Sequence, residues 1–108
     1  MNTSIICSKD DLIANSGVCA KIDNQQVALF YVPDTEQKVF AIDNWDPLGK
    51  ANVMSRGVIG NIGDELVVAS PLYKQHFSLI TGECVEEDVQ VATYKVGIDN
   101  EDVILLGD

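Results

Sequence analysis

Short β-branched and aromatic runs, broken at close intervals by glycine, asparagine and aspartate, set the pattern of apolar and polar positions along this chain. Runs of that length and composition read as strands, and the turn residues between them read as an all-β fold. Ser4–Cys7 opens as a strand. Ser8 with Asp11 three residues later has the form of a capping box, which predicts one short helix over Ser8–Asn15. Gly17–Ile22 and Gln26–Val32 flank Asp23-Asn24-Gln25 and predict a hairpin. Pro33-Asp34 begins the next turn, and Lys38–Ile42 is the strand beyond it. Val58–Ile62 and Glu65–Ala69 predict a second hairpin around Gly63-Asp64. Gln75–Leu79 is a strand that stops at Thr81-Gly82, Val91–Ile98 alternates in part, and Val103–Leu106 follows the turn Asp99-Asn100-Glu101. No segment sustains a long helical period, and no repeat or interdomain linker is evident, so the expectation is one domain over 1–108.

Asp43–Gly57 is the longest stretch without a strand pattern. Loops beyond about 12 residues in a compact domain are usually functional or disordered. This one holds the only tryptophan, Trp45, which argues against disorder.

Composition narrows the classes. An apolar share of 46% and a charged share of 22% are ordinary for a globular domain. Seventeen acids against seven bases give a net charge of −10. Recognition of a phosphate backbone needs clustered Lys and Arg, so nucleic acid is excluded as the expected partner. The acidic runs Asp10-Asp11, Glu86-Glu87-Asp88 and Glu101-Asp102 read as solvated turns. Three cysteines, Cys7, Cys19 and Cys84, form no C-x-x-C pair, which fits a reducing compartment. Cys7 and Cys19 read as small buried apolar residues. Met1-Asn2-Thr3-Ser4 lacks the basic and apolar regions of a signal peptide, and no apolar run approaches the roughly 20 residues of a membrane span. The expected location is cytoplasmic.

The chemistry sits in two loops. The first reads Ala41-Ile42-Asp43-Asn44-Trp45-Asp46-Pro47-Leu48-Gly49-Lys50-Ala51, the second Ala69-Ser70-Pro71-Leu72-Tyr73-Lys74-Gln75-His76-Phe77-Ser78-Leu79-Ile80-Thr81-Gly82-Glu83. Their wording resembles that of a Rieske iron–sulfur protein, which reads N-x-C-P-H and C-P-x-H-G-x-x-F-x-L-x-T-G. Asp46-Pro47-Leu48 stands in place of Cys-Pro-His, and Ser70-Pro71-Leu72-Tyr73 in place of Cys-Pro-x-His. A Rieske centre needs two thiolates on one iron and two imidazoles on the other. Asp46, Leu48, Ser70 and Tyr73 cannot supply that set. Oxygen donors suit a hard ion, but Leu48 opposes one, and a hydrogen-bonded contact between loops is the expected replacement.

Over nearly its whole length the chain resembles the small subunit of NAD(P)H-dependent assimilatory nitrite reductase, a Rieske-like family without the cluster ligands. The phrases Phe40-Ala41-Ile42-Asp43-Asn44-Trp45-Asp46-Pro47, Ala51-Asn52-Val53-Met54-Ser55-Arg56-Gly57 and Val67-Val68-Ala69-Ser70-Pro71-Leu72-Tyr73-Lys74-Gln75-His76-Phe77 carry the resemblance. It implies a Rieske-like antiparallel β-sandwich whose small loop-bearing subdomain lies at about 43–79. It also implies a large-subunit partner that holds flavin, siroheme and an iron–sulfur cluster and reduces nitrite to ammonium, with no cofactor on this chain. A cluster-free adaptor of another oxidoreductase and a Rieske ferredoxin are the competing readings.

Trp45, Leu48, Leu72 and Tyr73 fall at the loop tips, either filling the space of a lost cluster or facing a partner as anchors. Lys50, Arg56 and Lys74 lie in the same loops, three of the chain's seven bases, and form the candidate charged rim. The single histidine, His76, has no evident nucleophile or carboxylate beside it in sequence and reads as a surface or satisfied side chain.

Overall fold

The computed structural model describes residues 4–72 and 74–106. Its strands are β1 (Ser4–Ser8), β2 (Ser16–Ile22), β3 (Gln25–Tyr31), β4 (Val39–Asp43), β5 (Trp45–Asp46), β6 (Ala51–Asn52), β7 (Val58–Ile62), β8 (Glu65–Ala69), β9 (His76–Ser78), β10 (Thr93–Tyr94), β11 (Val96–Asp99) and β12 (Asp102–Leu105). They form antiparallel sheets in the orders β1-β12-β11, β10-β4-β3-β2, β5-β6 and β7-β8-β9.

The turns follow from their residues. Ile22 pairs with Gln25, leaving a two-residue loop of Asp23 and Asn24 at φ 51° and 68°. Two positive φ values match the twist of a hairpin, and Asp and Asn tolerate them best after glycine. Ile62 pairs with Glu65 around Gly63, again at positive φ.

The β10-β4-β3-β2 sheet is the middle layer. Val27, Ala28, Leu29 and Phe30 of β3 are all buried, as are Val39 to Ile42 of β4. Strands covered on both faces lose the apolar–polar alternation of a half-solvated sheet, because either side of the pleat now meets a core. On one face Leu29, Val39 and Ala41 pack with Val96 and Val103 of the β1-β12-β11 sheet. On the other, Ala28, Phe30, Phe40 and Ile42 pack with Met54, Val68, Phe77, Leu79 and Val91. That second core fixes the β7-β8-β9 sheet, and with it both loops, against the middle layer. Full burial of a side chain such as Phe30 or Phe77 is worth about 1.5–3 kcal/mol relative to exposure.

Three expectations need correction. The helix over Ser8–Asn15 shrinks to a single 3-10 turn, Lys9–Asp11. The capping box is present, with Ser8 Oγ accepting from the Asp10 N–H and the Asp11 carboxylate accepting from the Ser8 N–H at 3.2 Å. Beyond it Asn15 turns to φ 60° and donates its N–H to the Tyr31 carbonyl at 2.6 Å, so strand pairing replaces helix. Asp43–Gly57 is not irregular: it contains β5, β6 and a 3-10 turn at Met54–Arg56. Val91–Ile98 divides into β10 and β11, which join different sheets. Met1–Thr3 lie outside the described residues.

Candidate functional site

Both loops leave the middle layer and the β7-β8-β9 sheet at the same end of the molecule. Asn44, buried at the root of the first loop, organises it. Its Nδ2 donates to Gln26 Oε1 at 3.1 Å and to the Asn52 carbonyl at 3.2 Å, while its Oδ1 accepts the Ser55 N–H at 2.8 Å. One side chain therefore ties the start of β3 to both ends of the loop. Next to it Asp43 Oδ1 accepts the Tyr94 hydroxyl at 2.6 Å. Burial, and then the neighbouring Asp43 carboxylate, push the Tyr94 phenol up to about 12.

The loop tips repeat one device. Asp46-Pro47-Leu48-Gly49-Lys50 and Ser70-Pro71-Leu72-Tyr73-Lys74 each begin with a short oxygen-bearing side chain followed by proline and leucine. In the first, Asp46 Oδ1 accepts the Leu48 N–H at 2.9 Å; in the second, Ser70 Oγ accepts the Leu72 N–H at 3.3 Å. Each closes when the lysine N–H donates to the first residue's carbonyl, at 2.7 Å for Lys50 and 3.0 Å for Lys74. Both lysines sit at positive φ, 58° and 65°. The repeated pentapeptide was readable in the sequence and was missed there.

The two first residues meet. Asp46 and Ser70 are buried, and Ser70 Oγ donates to Asp46 Oδ2. Asp46 Oδ1 also takes the Gly49 N–H at 3.1 Å. A buried carboxylate is tolerated only when its oxygens are hydrogen-bonded, and here three donors serve it. Gly49 packs against the Leu72 side chain, so a Cβ there would push that exposed leucine aside. Asp46 and Ser70 are two of the four degenerate ligand positions, and the bond between them links the loops directly.

This geometry does not fit a [2Fe–2S] cluster. Both Asp46 oxygens and the Ser70 hydroxyl are engaged with one another and with backbone N–H groups, and Leu48 has no donor atom. Tyr73, the fourth position, lies outside the described residues. Among the described residues no group of three or more His, Cys, Asp or Glu side chains is arranged to hold a metal.

The remaining tip residues separate. Leu48 is half-buried against the second core. Trp45 and Leu72 are 44% and 45% exposed. Lys50 and Lys74 are exposed, and Arg56 lies on the 3-10 turn beside the first loop.

His76 does have a carboxylate, ten residues on. Glu86 accepts the His76 N–H at 2.8 Å and meets Nδ1 at 2.5 Å. The His76 backbone bond, countered in part by desolvation, holds the Glu86 carboxyl below its usual value. Val85 N–H donates to the His76 carbonyl at 2.8 Å, so the segment 84–86 is pinned along β9. Cys19 is exposed rather than buried, since Val18 and Ala20 turn into the core and the residue between them faces outward. Cys7 is half-buried, and burial, then Asp11, raises its thiol pKa.

A family model described as a Rieske-like [2Fe-2S] domain matches residues 3–106. The NADH nitrite reductase small subunit of Escherichia coli K12 is 44% identical over 103 residues, 94% of each chain. The chain belongs to the Rieske-like nitrite reductase small-subunit family. The NMR structure of the E. coli protein NirD, of that family, superposes with a TM-score of 0.84 at 39% identity and covers 98% of both chains. A nitrite reductase [NAD(P)H] large subunit of Klebsiella oxytoca is 38% identical over 96 residues, which are 88% of this chain and 10% of that protein. A stretch similar to this small subunit thus also occurs inside a large-subunit polypeptide.

Proposed function

We propose that this chain is the non-catalytic small subunit of NAD(P)H-dependent nitrite reductase and acts through the large subunit, which converts nitrite to ammonium in nitrate assimilation. The observation that carries the reading is the Klebsiella large subunit, in which a stretch similar to this chain is covalently part of the enzyme. Flavin, siroheme and an iron–sulfur cluster belong to the large subunit and none to this chain, in the cytoplasm. The exchange of cluster ligands for an Asp46–Ser70 hydrogen bond supports a role without electron carriage. The chain acts as one Rieske-like domain over 1–108, with 43–79 corresponding to the cluster-bearing part.

The loop end is the proposed docking face. Trp45 and Leu72 are its exposed apolar anchors, Leu48 is half-buried against the core beside them, and Tyr73, next to Leu72 in the sequence, is a further candidate anchor. Lys50, Arg56 and Lys74 form a cationic rim on a chain of net charge −10. Truncation of a central aromatic anchor costs about 2 kcal/mol or more of binding, whereas rim charges act mainly on the association rate. Trp45→Ala should therefore weaken large-subunit binding with little change in melting temperature, and Lys74→Glu should give a smaller, salt-dependent loss. Wild-type affinity in Trp45→Ala would remove this residue from the interface. Nitrite reduction by the isolated chain with a reduced nicotinamide would refute the subunit reading.

A further inference from the structure

A second candidate surface lies at the other end of the β7–β8 hairpin. Val58 and Ala69 pair next to the loops, while Ile62 and Glu65 pair at the far turn. Between that turn and the end of the middle sheet lies a shallow, open groove of about 680 Å³. Phe40 and half-buried Leu66 form its floor, and Ile62 and Ile80, 40% and 56% exposed, form its walls. Asp64 and Glu65 stand on its rim, and no basic side chain lines it. The groove therefore joins two exposed aliphatic side chains to two carboxylates on its rim.

Lys50 and Lys74 close the two loop tips, whereas the charged side chains lining the groove are Asp64 and Glu65. We infer that the groove takes a segment of the nitrite reductase large subunit presenting an aliphatic side chain flanked by lysine or arginine, so that the small subunit is gripped at both ends. The aliphatic group fills the space between Ile62 and Ile80, and the flanking bases meet Asp64 and Glu65. The inference rests on the subunit reading above but concerns a different face from the loop tips. An anchor in such a pocket carries most of the affinity, and the acidic rim steers encounter and register.

The test uses the full chain and purified large subunit, with dissociation constants measured at low and high salt. Ile80→Glu places a carboxylate in the apolar wall of an already acidic groove. It should weaken binding by about tenfold or more while the melting temperature stays at the wild-type value. Glu65→Lys, at an exposed rim position, should give a smaller loss that shrinks as salt rises, and it keeps the test open if Ile80→Glu folds poorly. Wild-type affinity in both variants overturns the groove assignment while leaving the subunit reading intact. Failure of the wild-type chain itself to bind large subunit defeats that reading and this inference with it. Self-association of the free chain that Ile80→Glu abolishes, with large-subunit binding unaltered, would assign the groove to a second copy and overturn the proposal.

Discussion

Ser70→Ala removes one hydroxyl from beside a carboxylate that has no exposed surface. Asp46 is fully buried, with Ser70 Oγ donating to Oδ2 and the Leu48 and Gly49 N–H groups on Oδ1. Without Ser70, Oδ2 loses its only donor among the described residues, and neither oxygen reaches solvent. Hydrogen bonds to charged groups contribute about 1.5–3 kcal/mol, and an acceptor left unmatched in the interior costs its full desolvation. The weaker Leu72 N–H contact at 3.3 Å is lost as well. The expected loss is therefore about 2–3 kcal/mol. In urea unfolding it appears as a lower midpoint with unchanged slope. In a domain of this size it corresponds to a fall of roughly 8–20 °C in melting temperature. A double-mutant cycle with Asp46→Ala isolates the pair, and the coupling should be at least about 1.5 kcal/mol. A loss under about 0.5 kcal/mol, or additive single mutants, would refute the view that this bond holds the loops together.

Tyr94 should ionise near pH 12, above its ordinary value of 10.0. The folded state thus keeps its proton longer than the unfolded chain, so Tyr94 stabilisation is complete below about pH 10 and is lost as pH rises toward 12. Phenolate absorbance in wild type and Tyr94→Phe checks this, and a Tyr94 midpoint at the ordinary value would contradict it. Glu86, with its pKa lowered from 4.5, contributes stability above that value that disappears as pH falls through the lowered one. The stability difference between wild type and Glu86→Gln should then be small at neutral pH, given the exposure of the pair, and vanish in acid; a difference that grows in acid would speak against it. Gly82→Ala should destabilise strongly, because Gly82 has φ 80° and a Cβ would strike the Val91 carbonyl oxygen; thermal melts that match wild type would show that the turn can adjust.

Strand positions were legible because apolar runs and turn residues mark them locally, as at Asp23-Asn24 and Gly63. Ser8 and Asp11 spelled out a cap, yet the helix ended after one turn. The residues beyond it found a better partner in the Tyr31 carbonyl, which is distant in sequence. Asp43–Gly57 looked irregular for a similar reason. Its order comes from Asn44, whose bonds reach Gln26, Asn52 and Ser55, and no local pattern announces such a hub. The replacement of Rieske ligands was readable residue by residue, and so was the expectation of a hydrogen-bonded contact. The pairing of Asp46 with Ser70 in particular required the two loops to be brought face to face. Glu86 escaped notice beside His76 because β9 and the segment that follows fold back on each other ten residues apart.

A link made of a carboxylate and a hydroxyl is encoded entirely in the gene. The first loop's Asp46 and the second loop's Ser70 are joined as soon as the chain folds, with no delivery step between synthesis and the finished tip. Formation of this link thereby draws on neither iron nor sulfide. The joint between the two loops would therefore form alike in iron-starved and iron-replete cells, because folding alone completes it.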